Sequence, residues 1–120
     1  NEIAPRPHNS GHWTIEGAVT SQFENHVRGV TDRPLGSTET RGGSVTVNIL
    51  GSEGKRPVRL TGTDALLEHP GAHLHWYGKK QERPLRKMGH FTLTGEENPE
   101  TLLAEARKLE DQLSFEAKKP

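Results

Sequence analysis

The sequence predicts an α+β fold made of a helix, a small mostly antiparallel sheet and a terminal packing helix. Three patterns lead to this prediction: a helical spacing of apolar residues after residue 20, alternating apolar and polar residues after residue 43, and a second helical spacing after residue 98. Only 29% of the residues are hydrophobic and 13 are glycine, so turns and loops must occupy a large share of the chain.

The first 13 residues are expected to form an extended segment and a tight loop, because Pro5 and Pro7 exclude a regular helix. This stiffened backbone carries a carboxylate, a guanidinium, two imidazoles, amides and a hydroxyl, which suits a site that holds polar groups in place before a substrate arrives. The planar fork of Arg6 matches a phosphate or carboxylate, and backbone N–H groups of 9–11 can bind the same anion. An anion site is the functional interpretation, and a polar surface loop is the alternative.

A helix is predicted to follow, because apolar residues recur at spacings of four and three. These residues are Phe23, Val27 and Val30. Thr20 or Ser21 can cap the helix, and Glu24 stands three residues after Ser21, as a capping box requires. The segment 32–36, which contains a proline and a glycine, ends it.

The middle of the chain is predicted to form the sheet. Residues 36–43 lack apolar side chains and read as a connecting loop, whereas 44–50 alternate valine or isoleucine with polar residues, as in a half-buried strand. The remaining elements are a short strand near 56–60, one or two helical turns over 63–68, and strands over 73–77 and 88–94. The last two strands form a hairpin with an overlong basic loop.

That basic loop has five cations between Lys79 and Lys87 and follows an aromatic pair, Trp76 and Tyr77. Such a cluster can neutralise a phosphate monoester. A solvated hairpin tip is the alternative interpretation. Nucleic-acid binding would require a broader basic surface, which the balanced charge of the chain, 16 cations against 16 anions, does not indicate.

The last element is a helix that packs on the sheet. Asn98 and Pro99 provide a cap and an N1 proline. The apolar stripe that follows consists of Leu102, Leu103, Ala106, Leu109 and Leu113. A lysine-rich tail is expected to end the chain.

Two pairs of histidines have spacings at which metal ligands also occur. His8 and His12 stand at i and i+4, but 9–11 do not continue a helix and no glutamate follows His8, so zinc is disfavoured. His73 and His75 share one face of a strand, where structural roles are more common than chelation. A small metal-dependent hydrolase is therefore a minor hypothesis.

Composition excludes several other classes of protein. The chain has no cysteine, so disulfides and thiolate chemistry are excluded, and this fits a reducing cytoplasm. No stretch approaches the roughly 20 apolar residues of a membrane span, and the first residues do not resemble a signal peptide. We expect a cytoplasmic protein with no membrane and no nucleic-acid partner.

Several segments, in this order, resemble the N5-carboxyaminoimidazole ribonucleotide synthetases (PurK-type) of the ATP-grasp superfamily. They are Asn-Glu-Ile-Ala-Pro-Arg-Pro-His-Asn-Ser-Gly-His-Trp at 1–13 with its continuation to 24, His-Leu-His-Trp-Tyr-Gly-Lys at 73–79, and Arg-Lys-Met-Gly-His at 86–90. The resemblance extends over nearly the whole chain. It implies a carboxy-terminal portion of an ATP-grasp fold, in which 1–35 end the core with the active-site loop and helix and 36–120 form a small β-rich domain.

The resemblance implies a ligase of purine biosynthesis that uses ATP, Mg²⁺ and bicarbonate. ATP would phosphorylate bicarbonate to carboxyphosphate, which delivers CO2 or a carboxyl group to the exocyclic amine of 5-aminoimidazole ribonucleotide. Such enzymes are usually dimeric, so the full-length protein is expected to be a homodimer.

The resemblance also implies roles for individual residues. Glu2 would bind the ATP-bound Mg²⁺, which prefers hard oxygen ligands, and Asn1 would lie beside the nucleotide phosphates. The residues expected around bicarbonate and the ribonucleotide are Arg6, which is the catalytic candidate, His8, Asn9 and Ser10. Lys79 and Arg86 would hold the 5′-phosphate, with Lys87 as an additional contact, so the two segments should meet across one cleft.

The chain departs from the ATP-grasp pattern at Ala4, where many members carry a metal-binding asparagine, although Arg6 is retained. A lid, a lysine for the nucleotide phosphates and the second metal glutamate are not recognisable in the sequence. We therefore expect a portion that begins inside the active site and has no ligase activity alone. A noncatalytic anion-binding or dimerisation module with the same fold is the alternative.

Overall fold

The computed structural model describes residues 2–119. A 3₁₀ helix at Asn9–Gly11 precedes the regular elements. These are α1 (Thr14–Gly17), α2 (Gln22–Val30), β1 (Gly43–Leu50), β2 (Val58–Thr61), α3 (Asp64–Glu68), β3 (Ala72–Trp76), β4 (Lys87–Gly95), α4 (Pro99–Gln112) and β5 (Ser114–Ala117). The predicted α+β fold is confirmed.

Two antiparallel sheets form the β structure. The larger has the order β1-β4-β3, so β4 lies in the centre and pairs with both neighbours. The smaller pairs β2 with β5. The predicted hairpin with an overlong loop is confirmed, since β3 and β4 are antiparallel neighbours separated by residues 77–86.

The larger sheet has one apolar and one polar face, because side chains alternate along each strand. On the apolar face Val47, Phe91 and Leu74 form one row across the three strands. On the other face Asn48, His90 and His75 form the neighbouring row. The apolar face packs against α4 in a core that comprises Ile49, Leu66, Phe91, Leu93, Leu102, Ala106 and Leu109.

Both predicted helix caps are present. Asn98 Oδ1 accepts a hydrogen bond of 2.9 Å from the N–H of Thr101, and Pro99 opens α4. Ser21 Oγ accepts one of 3.0 Å from the N–H of Glu24 at the start of α2. The Glu24 carboxylate pairs with Arg28 at 2.9 Å instead of with the N–H of Ser21, so Ser21 provides the side-chain cap of α2 by itself.

Two parts of the chain have more regular structure than the sequence predicted. Residues 114–117, expected to belong to the tail, form β5, where Phe115 stands opposite Leu60 of β2 and lies 6.0 Å from the ring of Trp76. Helix α1 was not predicted either. Thr14 stabilises its start by donating to the carbonyl of Gly11 at 2.6 Å. Within residues 2–119 no helix is long and apolar enough to cross a membrane.

Candidate active site

The polar face of the larger sheet carries the N-terminal segment, and the predicted site residues lie in and beside this contact. At its start Glu2 and Arg6 are exposed, and Arg6 Nη1 donates to the carbonyl of Pro7 at 3.3 Å. Asn1, predicted to lie beside the nucleotide phosphates, is outside the described residues. Glu2 can give a magnesium ion one carboxylate, and such ions take their other ligands from phosphates and water as well as from protein.

His8, Asn9 and Ser10 form a compact turn. Nδ1 of His8 accepts a hydrogen bond of 3.2 Å from the N–H of Ser10 and lies 3.0 Å from Ser10 Oγ. An accepting Nδ1 leaves the proton of a neutral imidazole on Nε2. The ring of His8 is therefore held so that Nε2–H can donate to a ligand.

Asn9 joins this turn to the sheet and to the basic segment. Its Nδ2 donates to Asn48 Oδ1 at 2.8 Å, and Lys87 Nζ donates to its Oδ1 at 2.8 Å. The prediction that the proline-stiffened and basic segments meet is confirmed at this contact. Both ends of the Asn9 amide are engaged, so the side chain acts at least in part by fixing the turn.

Three imidazoles stack beneath the turn. The ring of His90 lies between those of His12 and His75, with centroids 4.2 and 4.5 Å away. The hydroxyl of Tyr77 lies 2.7 Å from His90 Nδ1 and 3.2 Å from His12 Nδ1. Glu16 Oε1 lies 2.5 Å from His75 Nε2, so α1 is bound to β3.

The stack disfavours positive charge on its central ring. His90 is 1% exposed, and burial together with the neighbouring His12 and His75 lowers its pKa to about 4. Nδ1 of the neutral His90 shares a hydrogen bond with the Tyr77 hydroxyl, and the tautomer of the ring decides which of the two donates. Burial and the nearby His75 and Lys87 also lower the pKa of His12.

The basic segment brings Lys79 close to Arg86 and Lys87. Lys79 Nζ donates to the carbonyl of Lys87 at 2.5 Å and lies 5.6 Å from the ring centroid of Tyr77. Arg86 Nη1 donates to the carbonyl of Gln81 at 2.9 Å. Burial and the neighbouring Arg86, Arg83 and Lys87 lower the pKa of Lys79, so the cations are crowded enough to repel one another. A bound anion would relieve this repulsion.

The histidine pairs do not converge on a metal site. Among residues 2–119 no three histidine, cysteine, aspartate or glutamate side chains are grouped so that they could hold an ion. His8 contacts Ser10, and His12 stacks on His90. This geometry gives the metal-dependent hydrolase hypothesis no support.

The chain matches two family models. Residues 44–104 match the phosphoribosylaminoimidazole carboxylase C-terminal domain, and residues 1–23 match the ATP-grasp domain. The chain belongs to the family of this carboxylase C-terminal domain. The N-terminal match covers the turn at 8–12 and helix α1, and the domain match covers the larger sheet. The predicted boundary at residue 35 remains a prediction.

Solved and curated relatives agree with this assignment. The chain is 53% identical to N5-carboxyaminoimidazole ribonucleotide synthase of Vibrio parahaemolyticus over 96 residues. This match covers 80% of the chain and 23% of that protein. It superimposes on the synthetase of Thermotoga maritima with a TM-score of 0.90 and 49% identity, covering 98% of the chain and 33% of that structure. The Aspergillus clavatus synthase in complex with ADP and 5-aminoimidazole ribonucleotide superimposes with a TM-score of 0.73 and 35% identity. This match covers 88% of the chain and 28% of that structure. The chain thus spans about a quarter to a third of these relatives.

Several residues of this region were not singled out from the sequence. Glu16 lies in the N-terminal segment and contacts His75, whereas Asn48 and His90 lie on two strands and become neighbours only because these strands pair. The one local signal is the alternation in β1 and β4, which places Asn48 and His90 on the face away from the apolar row. Their contact with the N-terminal segment has no signature in sequence spacing.

Proposed function

We propose that the chain is the carboxy-terminal part of an ATP-dependent ligase that carboxylates 5-aminoimidazole ribonucleotide with bicarbonate. The observation that carries this proposal is the contact of Lys87 with Asn9, which joins the N-terminal turn to the segment that holds Lys79 and Arg86. A cation cluster for a phosphate and a rigid polar turn for bicarbonate and the amine are thereby neighbours. The ligands and activity of the relatives agree with this assignment.

We propose roles for the individual residues. Lys79 and Arg86 bind the 5′-phosphate, because ammonium and guanidinium groups pair strongly with phosphate. The Nε2–H of His8 and the exposed fork of Arg6 orient bicarbonate and hold its negative charge while ATP phosphorylates it to carboxyphosphate, from which the carboxyl group passes to the amine and phosphate leaves. Ser10 fixes the tautomer of His8, and Asn9 fixes the turn.

Fewer residues of this chain are proposed for the nucleotide side of the site than for the ribonucleotide side. Glu2 would hold the ATP-bound Mg²⁺ through its carboxylate, and the magnesium would neutralise phosphate charge when bound. A homodimeric assembly and a cytoplasmic location belong to the same proposal and rest on family resemblance.

The test is the kinetics of the full-length protein that contains these 120 residues. Turnover should require ATP, bicarbonate and 5-aminoimidazole ribonucleotide together. Lys79→Ala and Arg86→Ala should each raise KM for the ribonucleotide about 10- to 100-fold, the value of a charge-assisted hydrogen bond of about 1.5–3 kcal/mol, and leave KM for ATP unchanged. Lys108→Ala, an exposed cation on α4, is the matched control.

Unchanged KM for the ribonucleotide in both variants would reject the phosphate assignment. Absence of ATP- and bicarbonate-dependent turnover in the full-length protein would reject the function. The 120 residues alone should give no turnover, because the relatives devote about three times this length to the reaction. Turnover by the short chain would contradict that expectation.

A further inference from the structure

Glu82 lies in the middle of the basic segment, yet its side chain is completely buried. The surrounding sequence, Lys-Lys-Gln-Glu-Arg-Pro-Leu-Arg-Lys, has the composition of a solvated loop. Burying a carboxylate is costly unless charge and hydrogen bonds compensate for the lost water. A buried glutamate at this position therefore requires partners, and they define its role.

The partners come from the segment between β1 and β2. Oε2 of Glu82 accepts a hydrogen bond of 2.9 Å from the N–H of Ser52, and Oε1 accepts one of 2.7 Å from Arg56 Nε. The backbones also pair, since the N–H of Glu82 donates to the carbonyl of Arg56 at 2.9 Å. Burial acts to raise the pKa of Glu82, but the hydrogen bonds from Ser52 and Arg56 outweigh it and hold the pKa below its ordinary value. The carboxylate stays ionised.

A second set of contacts fixes the same segment at Leu85 and Arg86, three and four residues after Glu82. The N–H of Gly51 donates to the carbonyl of Arg86 at 2.8 Å, and its carbonyl accepts from the N–H of Leu85 at 2.9 Å. A side chain at Gly51 would collide with the backbone carbonyl of Arg83, so only glycine permits this approach. Leu85 adopts a φ of 60°, which the two flanking hydrogen bonds hold in place.

These anchors lie between the two cations that the proposed function assigns to the 5′-phosphate. Lys79 precedes Glu82 by three residues and Arg86 follows it by four. Without an anchor, mutual repulsion would spread the cations of a flexible loop before substrate binds. With Glu82 held against Ser52 and Arg56, the loop keeps them close and the substrate meets a preformed site.

We propose that Glu82 is a positioning residue, which through Ser52 and Arg56 fixes the basic segment so that Lys79 and Arg86 meet the substrate phosphate. This inference rests on the proposed function and adds to it a support that does not touch the substrate. Glu82 affects the binding of 5-aminoimidazole ribonucleotide alone. The nucleotide side of the site should not depend on it.

The test is Glu82→Gln in the full-length protein. Because misplacement of binding groups weakens ligand binding steeply, the variant should raise KM and the equilibrium dissociation constant for 5-aminoimidazole ribonucleotide by about tenfold or more. KM for ATP should stay at the wild-type value. Glu53→Gln is the matched control, because Glu53 pairs with the same Arg56 at 3.0 Å from an exposed position and should leave both constants unchanged.

Arg56→Lys provides a second measurement should Glu82→Gln fail to fold. It keeps the positive charge but not the guanidinium geometry, and should raise the dissociation constant for the ribonucleotide by a smaller factor than Glu82→Gln. Folded variants that bind the ribonucleotide as the wild type does would overturn the proposal, even if they are less stable. Equal increases of KM for ATP and for the ribonucleotide would also overturn it, since they would indicate general distortion.

The failure of the proposed function is distinguishable from the failure of this inference. A wild-type protein that neither binds nor turns over the ribonucleotide rejects the function, and the role of Glu82 with it. A wild-type protein that does both, with variants that match it, rejects the role of Glu82 alone.

Discussion

The carboxylate of Glu16 lies 2.5 Å from Nε2 of His75, which joins residues 59 positions apart. Glu16 belongs to the short helix α1 and His75 to the edge strand β3. The side chain of Glu16 is 16% exposed and that of His75 is 34% exposed. This pair, with the contacts of Asn9 and His12, binds the N-terminal segment to the polar face of the sheet.

Glu16→Gln should therefore destabilise the protein. The variant keeps an oxygen that can accept the hydrogen bond but removes its negative charge in a partly buried position, so the free energy of unfolding should fall by about 1 kcal/mol, the difference between a charged and a neutral hydrogen bond. Urea denaturation measures this change. Glu24→Gln is the control, because the ion pair of Glu24 with Arg28 is exposed and should be worth about 0.5 kcal/mol or less. Equal losses in the two variants would contradict the structural role of Glu16.

The buried His90 should make stability depend on pH. Its pKa is about 4 in the folded chain, against an ordinary value of 6.5, because burial and the neighbouring His12 and His75 disfavour its charged form. Between these values the unfolded chain binds a proton that the folded chain does not. The stability that the neutral His90 contributes is therefore complete above pH 6.5, and it is lost progressively as the pH falls towards 4.

His90→Gln removes this titration, so its free energy of unfolding should fall less steeply between pH 6.5 and pH 4. Denaturation curves at several pH values compare the slopes. His26→Gln, an exposed histidine of α2, serves as the control and should keep the wild-type slope. A wild-type slope in His90→Gln would show that other groups carry the dependence.

The N-cap of α4 should be worth about 1 kcal/mol. Asn98→Ala removes the side-chain acceptor for the N–H of Thr101, and the typical cost of such a loss is about 0.5–2 kcal/mol. Asn98→Asp keeps an acceptor at the same place and should stay near the wild-type stability. Thermal denaturation distinguishes the two. An aspartate variant as unstable as the alanine variant would exclude the cap as the cause.

Two glycines should respond oppositely to alanine. Gly62 has a φ of 73°, and an added Cβ would meet the backbone carbonyl of Gln112 where β2 and β5 approach each other. Gly62→Ala should cost about 1–3 kcal/mol or more. Gly54 has open space around it, so Gly54→Ala should be neutral or stabilise by up to about 1 kcal/mol. Similar losses at both positions would contradict the described packing.

Features that depend on neighbours in sequence could be predicted. The alternation in β1 was visible because Val45, Val47 and Ile49 stand two residues apart, and β1 indeed places them towards the core. Asn98 and Pro99 marked the start of α4 because capping is a local interaction. The charge of the basic segment left a solvated loop open as an alternative, and the family resemblance was needed to assign Lys79 and Arg86 to a site.

Three features that depend on distant pairs were not predicted. Strand β5 has one large apolar residue, Phe115, and forms because β2 offers it an edge. Glu82 resembled the other charges of its segment, and only the approach of Ser52 and Arg56 explains its burial. His90 looked like a strand residue, and its place within three stacked rings depends on His12 from the N-terminal turn.

The opposite characters of the two sheet faces restrict how this sequence can diverge. Phe91 contributes to the core and its neighbour His90 to the site, so one inserted or deleted residue in β4 would exchange their sides. Such a change would disrupt both the packing of the core and the binding of a ligand. Strand β4 can therefore change in residue type but not in length. Related sequences should align without gaps through 87–95, and differences in length should collect in connections such as 36–42.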